Sequence, residues 1–170
     1  MFRPQAAAPV LEIPLAGGGV WSLAEQKPER FTLIVFYRGF HCPICKRYLQ
    51  QLESLLDRYA EVGVTSVIAI SGDEKEPATR TVEEWDLARL LIGYGQSIES
   101  MREWGLFVSR KIKESEPDLF GEPGLFLIRP DGTVFAAILN TMPFGRPHLD
   151  ELIGSIKSIN ERDYPARGES

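Results

Sequence analysis

The 170-residue chain predicts an α/β fold in which a mixed central sheet is covered by helices on both faces and extended by an N-terminal β-hairpin. Two patterns support this prediction. Apolar runs at residues 31–37 and 64–70 are joined by an amphipathic helix, so we expect two neighbouring parallel strands in a βαβ unit. Towards the C-terminus, strands at 125–129 and 133–139 flank an Asp-Gly turn and predict an antiparallel hairpin, followed by a helix at 148–160.

The remaining elements follow from local signals. Residues 10–15 and 20–23 flank three glycines and predict the N-terminal hairpin. The helix of the βαβ unit has an apolar side that begins at Cys45, and Gly63 closes it. The middle of the chain predicts a helix, a short strand, a helix and a loop with one helical turn, at residues 77–89, 90–94, 97–104 and 107–120 respectively.

Length and composition indicate a single globular domain. We place that domain at residues 1–162 and expect a frayed polar tail at 163–170. A net charge of −5 argues against a nucleic-acid partner, which would need a basic face. No apolar run approaches the roughly 20 residues that span a bilayer, and the first ten residues lack the apolar core of a secretory signal. We therefore expect a cytoplasmic protein that does not bind membranes.

The two cysteines, Cys42 and Cys45, point to the chemistry. A pair separated by two residues is more often redox-active or metal-binding than structural in a reducing compartment. Cys42 stands where a strand has ended and a helix begins, with Pro43 in the first-turn position that proline favours. The free N–H groups of that turn lower the pKa of a thiol and favour the nucleophilic thiolate, and Arg38 and His41 add positive charge in the same sense.

Two other interpretations of the pair fit less well. A zinc site would need His41 and His148 as further ligands, but His41 adjoins Cys42 and would have to bend back, so we expect neither a metal nor another cofactor. Two inert buried thiols are the second alternative, and the strand-to-helix position disfavours it.

Several segments resemble a known family. Residues 36–45, with the sequence Phe-Tyr-Arg-Gly-Phe-His-Cys-Pro-Ile-Cys, are similar to the active-site segment of the AhpC/TSA peroxiredoxin-like proteins of the thioredoxin superfamily. The similarity continues at residues 124–128, 130–132 and 140–146, and covers roughly residues 10–160 in order. The resemblance implies a thioredoxin fold and a thiol-dependent antioxidant oxidoreductase that cycles between a Cys42–Cys45 dithiol and a disulfide.

The sequence departs from peroxiredoxins at three positions. If Cys45 is aligned with their peroxide-reactive cysteine, Cys42 replaces a threonine, Arg38 replaces a proline, and Pro123 replaces the arginine that binds the peroxide. Thioredoxins and glutaredoxins have instead a Cys-x-x-Cys pair and a cis-proline before the matching strand. The resemblance to these proteins implies a cis Glu122–Pro123 peptide packed against the two cysteines.

Two mechanisms remain open at this point. In one, Cys42, which we expect to be the more exposed and acidic thiol, attacks a disulfide and Cys45 resolves the mixed disulfide. In the other, one thiolate attacks a hydroperoxide and the second thiol condenses with the resulting sulfenic acid. The peroxiredoxin alignment makes Cys45 the peroxide-reactive thiol, with Arg38 and Arg146 as substitutes for the missing hydrogen-bond donors.

The expected partners are a hydroperoxide or disulfide substrate and a thiol electron donor that the sequence does not identify. The resemblance also allows a homodimer. A non-enzymatic redox-sensing or partner-binding module on the same fold is the alternative function.

Overall fold

The protein, seen here in a computed structural model that describes residues 3–170, has a five-stranded central sheet. Across the sheet the strands follow the order Leu91–Gly93, Val64–Ile70, Phe31–Phe36, Gly124–Ile128 and Val134–Leu139. The predicted domain starts at residue 1, so its first two residues lie outside the described range. The strands and helices are β1 (Glu12–Pro14), β2 (Val20–Ser22), β3 (Phe31–Phe36), α1 (Pro43–Glu61), β4 (Val64–Ile70), α2 (Lys75–Glu84), β5 (Leu91–Gly93), α3 (Ile98–Glu103), β6 (Val108–Arg110), β7 (Leu119–Gly121), β8 (Gly124–Ile128), β9 (Val134–Leu139) and α4 (Leu149–Arg162).

Strand β3 lies at the centre of the sheet, and every one of its residues is buried. It pairs in parallel with β4, where Ile34 faces Ile68, and antiparallel with β8, where Ile34 faces Phe126. Strands β8 and β9 form an antiparallel hairpin in the same sheet. The predicted βαβ unit, the C-terminal hairpin and the β1–β2 hairpin are therefore confirmed.

The alternating side chains of β3 divide the core into two layers. Leu33 and Val35 pack with the apolar sides of α1 and α4. Ile34 and Phe36 pack on the other face against Trp104, which ends α3, and against the N-terminal hairpin. Two different apolar layers fix which face each strand presents, and this holds the carboxyl end of β3 at the start of α1.

Two segments differ from the sequence-based expectation. The stretch 107–120 contains β6 and the start of β7, which pair as a separate two-stranded sheet. These strands have three residues each, too few for an apolar alternation to be recognised. The tail is not simply frayed, because Ala166 is buried and its carbonyl accepts a hydrogen bond from the side chain of Gln5 at 3.3 Å. Among the described residues, no helix has both the length and the apolar character needed to cross a membrane.

Candidate active site

Cys42 and Cys45 form a disulfide at the start of α1, with their Cα atoms 5.2 Å apart. Cys42 is the N-cap of the helix and Pro43 occupies its first turn, as the sequence predicts. The backbone N–H of Cys45 donates to the Sγ of Cys42 at 3.2 Å. Cys42 is 4% exposed and Cys45 is fully buried, so the order of exposure is the expected one although the difference is small. A helix N-cap supplies hydrogen bonds and positive potential, which favour a thiolate at Cys42 in the reduced protein.

The loop between β3 and α1 is fixed by a buried carboxylate. Asp73, which follows β4, accepts a hydrogen bond from the backbone N–H of Phe40 at 2.8 Å. Gly39 adopts a φ of +135°, and a Cβ added there would lie 2.5 Å from the Oδ1 of Asp73, so only glycine fits this backbone and this contact. Burial raises the pKa of Asp73. These contacts set the direction in which the chain enters α1.

His41 lies between that loop and the β7 strand. Its ring packs edge-on against Phe120, with ring centroids 4.8 Å apart. Within the described chain, neither ring nitrogen has a hydrogen-bond partner. Burial lowers the pKa of His41, an effect that the charge of Glu116 opposes. His41 is therefore neutral at pH 7, and it does not supply the positive charge that the sequence suggested.

Arg38 is paired with a carboxylate that the sequence analysis did not recognise. Its Nε and Nη2 donate to the two carboxylate oxygens of Glu122 at 2.7 and 2.8 Å. Glu122 is buried and also accepts a hydrogen bond from the hydroxyl of Ser109 at 2.6 Å. The positive charge of Arg38 is thus matched by one negative charge. This bidentate pair joins the active-site loop to the segment between β7 and β8.

The predicted cis peptide at Pro123 is wrong. Among residues 3–170 there is no cis peptide bond, so the Glu122–Pro123 bond is trans. The extended backbone is held on both sides of this bond: the N–H of Glu122 donates to the carbonyl of Phe107 at 2.7 Å, and the carbonyl of Pro123 accepts from Asn140 at 3.0 Å. Pro123 lines a small cavity together with Tyr48 and Arg146. The similarity to thioredoxins at this proline does not extend to its conformation.

Arg146 is the cation in direct contact with the sulfurs. It lies in the loop between β9 and α4, and its Nη2 donates to the Sγ of Cys45 at 3.1 Å. Its Nε and Nη1 are buried and have no partner among the described residues. Burial lowers the pKa of Arg146 to about 10, so the guanidinium remains charged at pH 7. A buried guanidinium with free N–H groups beside a reactive sulfur can stabilise a thiolate and hydrogen-bond to an oxygen atom.

Comparisons with known proteins identify the family of this chain. The sequence profile of the AhpC/TSA family matches residues 4–137, and the chain belongs to this family. Membership, together with the disulfide at the start of α1, supports a thiol-dependent peroxidase. No curated protein sequence matches the chain significantly.

Solved structures of peroxiredoxins have the same thioredoxin-type fold. Peroxidoxin BcpB from Mycobacterium tuberculosis is 18% identical, with a TM-score of 0.75, and the alignment covers 94% of this chain and 99% of that one. The reduced 2-Cys peroxiredoxin of Plasmodium vivax is 16% identical, with a TM-score of 0.77 and coverage of 96% and 84%. The bacterioferritin comigratory protein of Xanthomonas campestris is 19% identical, with a TM-score of 0.68 and coverage of 87% and 90%. At these identities the likeness shows the fold.

Proposed function

We propose that the protein reduces hydroperoxides, with Cys45 as the peroxide-reactive thiol and Cys42 as the resolving thiol. The contact between Arg146 and the Sγ of Cys45 is the observation that supports this assignment most directly. A thiolate at Cys45 would lie beside a cation whose two remaining N–H-bearing nitrogens have no protein partner. Those groups can hydrogen-bond to a peroxide oxygen and stabilise the charge that develops on it.

The reaction balances with the two cysteines and an external reductant. The Cys45 thiolate attacks one peroxide oxygen, so that an S–O bond forms and the O–O bond breaks. The leaving alkoxide or hydroxide takes up a proton and departs as alcohol or water, and Cys45 becomes a sulfenic acid. The Cys42 thiolate then attacks the Cys45 sulfur, displacing hydroxide, which is protonated to water as the disulfide forms. A thiol donor returns two electrons and two protons to restore the dithiol.

The position of Cys42 suits it to the resolving step. It lies on the same helical turn as Cys45, with the Cα atoms 5.2 Å apart, so the disulfide forms while α1 keeps its helical hydrogen bonds. Its place at the N-cap favours the thiolate that this step needs. Cys42 is also the less completely buried of the two residues, which favours it as the site that an external thiol reaches first.

Disulfide reduction is the second candidate function. In that reaction Cys42 attacks a protein disulfide and Cys45 releases the product. The N-cap position and the exposure of Cys42 favour this order. The trans bond before Pro123 removes one of the sequence features on which the thioredoxin-like interpretation rested.

Separate Cys42→Ser and Cys45→Ser variants distinguish the two functions, and each serves as the control for the other. Each is mixed with hydrogen peroxide, an alkyl hydroperoxide and a disulfide-bonded protein. We expect the Cys42→Ser protein to form a sulfenic acid rapidly with peroxide, and the Cys45→Ser protein to react at the slow rate of an ordinary cysteine. If instead only the Cys45→Ser protein reacts, by trapping a mixed disulfide with the protein substrate, then disulfide reduction is the function.

The proposed reaction involves further residues around the two cysteines and a particular cellular environment. We place Arg38, His41, Pro43 and Pro123 as supporting residues around Cys42 and Cys45. The protein would act as a single domain over residues 1–162 with a tail at 163–170, in the cytoplasm, where thiol donors are available. The net charge of −5 supports a role without nucleic acid. Membrane binding and metal are not part of the proposed cycle, and sedimentation of the purified protein tests the proposed homodimer.

A further inference from the structure

Tyr48 makes two contacts with the loop that places Arg146. It lies on α1, three residues after Cys45 and therefore on the same side of the helix. The guanidinium carbon of Arg146 lies 4.6 Å from the centroid of the Tyr48 ring. The hydroxyl of Tyr48 donates to the carbonyl of Pro147, the next residue of the loop, at 3.0 Å. One side chain thus holds both Arg146 and the backbone beside it.

At pH 7 the Tyr48 side chain is neutral and the Arg146 side chain is charged. Burial raises the pKa of Tyr48 to about 12, so the phenol is neutral at pH 7 and remains a hydrogen-bond donor. Arg146 remains cationic, with a pKa of about 10. In the described part of the chain no carboxylate forms an ion pair with Arg146. The ring therefore supports the guanidinium through a cation–π contact, without cancelling its charge.

We propose that Tyr48 is a positioning residue that holds Arg146 against the Sγ of Cys45 while leaving its positive charge available to the sulfur. This inference rests on the proposed function of Cys45. A carboxylate in the same place would hold the guanidinium as firmly but would compensate its charge, as Glu122 does for Arg38. The neutral Tyr48 ring orients the guanidinium without compensating its charge. The uncompensated charge is what stabilises the Cys45 thiolate.

The chain offers a matched control for this role. Tyr59 also lies on α1, and its hydroxyl donates to the carbonyl of Leu149 at 2.6 Å, so it too ties α1 to the start of α4. Its aromatic ring is not in contact with a guanidinium among the residues described. A Tyr59→Phe variant loses a hydrogen bond of the same kind, from α1 to a carbonyl two residues further along the chain than Pro147, but leaves Arg146 in place.

The test measures the pKa of the Cys45 thiol by its thiolate absorbance in a Cys42→Ser background, together with the rate constant for hydrogen peroxide. We expect Tyr48→Leu to raise the Cys45 pKa by about one unit and to slow the peroxide reaction about tenfold, because the cation–π support is lost. Tyr48→Phe keeps the ring and should slow the reaction only about twofold. Tyr59→Phe should leave the Cys45 pKa unchanged. Equal shifts in the Tyr48→Leu and Tyr59→Phe proteins, or no shift in either, would overturn the proposal.

A second pair of variants tests the charge argument and does not depend on the leucine variant folding. Tyr48→Glu and Tyr48→Gln have nearly the same shape and differ by one negative charge. We expect the glutamate variant to have the higher Cys45 pKa, since its carboxylate compensates Arg146 and repels the thiolate. Identical pKa values in the two proteins would contradict the inference. These pKa measurements remain informative even if Cys45 does not react with peroxide, so failure of the proposed function is recognised separately.

Discussion

The two arginines of the candidate site, Arg38 and Arg146, differ in how their positive charge is compensated. Arg38 is held by both oxygens of a buried carboxylate, Glu122, and joins two segments of the fold. Arg146 is held by an aromatic ring and by the sulfur of Cys45, with no carboxylate against it among the described residues. The positive charge of Arg38 is therefore compensated by a carboxylate, whereas, within residues 3–170, the positive charge of Arg146 is not.

The difference teaches what a buried cation can do. A guanidinium whose charge is fully matched stabilises the geometry around it, but its field at a neighbouring sulfur is largely cancelled. A guanidinium without a carboxylate is costly to bury and keeps its field. We therefore expect the Arg38 side to determine stability and the Arg146 side to determine reactivity.

The largest effect is expected from Arg146→Met. Removing the donors beside Cys45 should lower the rate constant for hydrogen peroxide about 100-fold, the scale seen when one charge-stabilising donor is lost. The free energy of unfolding should stay the same or increase, because an uncompensated buried charge is removed. Stopped-flow peroxide kinetics and urea unfolding give the two values. Arg146→Lys, which keeps the charge but not the planar donor geometry, should fall between the variant and the wild type. If Arg146→Met unfolds more easily but reacts with peroxide at the normal rate, then Arg146 determines stability and not reactivity.

Glu122→Ala should have the opposite profile. It leaves Arg38 without its partner in a largely buried position, so we expect the free energy of unfolding to fall by about 3 kcal/mol. The double variant Arg38→Met with Glu122→Met should recover most of that loss, since neither charge is then buried alone. Urea unfolding of both proteins checks these values. The peroxide rate constant of the folded protein should change only about threefold. A loss of rate as large as that of Arg146→Met would mean that the Arg38 side also controls the chemistry.

The smallest effect concerns His41, which belongs to the Arg38 side of the site. Burial holds its folded-state pKa below the ordinary value of 6.5, so the unfolded chain binds more protons than the folded one in the window just below pH 6.5. The contribution of His41 to stability is therefore present above pH 6.5 and is lost as the pH falls through that window. Urea unfolding at several pH values should show this slope, and His41→Gln should have a flatter one. If the free energy of unfolding of His41→Gln has the same pH dependence as that of the wild type, His41 is not the source of the slope.

The sequence predicted the parts of this protein that depend on local pattern. The continuous apolar run of β3, the proline after Cys42 and the Asp-Gly turn before β9 each specify their structure within a few residues. The β3–β4 parallel pair and the β8–β9 hairpin follow from them, since parallel strands need a crossover and the Asp-Gly turn makes a hairpin.

The charge pairing of the site could not be predicted in the same way. Arg38 and Glu122 are 84 residues apart, and no local pattern connects them. One signal was present: of two departures from the family pattern, Arg38 forms one end of this contact and Pro123 directly follows the other end, Glu122. The resemblance to thioredoxins implied a cis bond at this proline, but a proline constrains only its own φ and leaves the isomer to its surroundings. Here the backbone hydrogen bonds around Glu122 hold an extended chain.

The single helical turn that contains both cysteines also has a consequence at high substrate concentration. In the proposed cycle, a sulfenic acid on Cys45 would face two competing reactions, condensation with Cys42 or attack on a second peroxide to give a sulfinic acid, which is not reversed by thiols. Because the two Cα atoms are 5.2 Å apart in one rigid element, condensation has the rate advantage of an intramolecular reaction. The resolving thiol belongs to the same chain, so this advantage does not depend on the amount of protein or on its assembly. In the proposed cycle, the fold would thereby protect the protein from inactivation by a peroxide substrate.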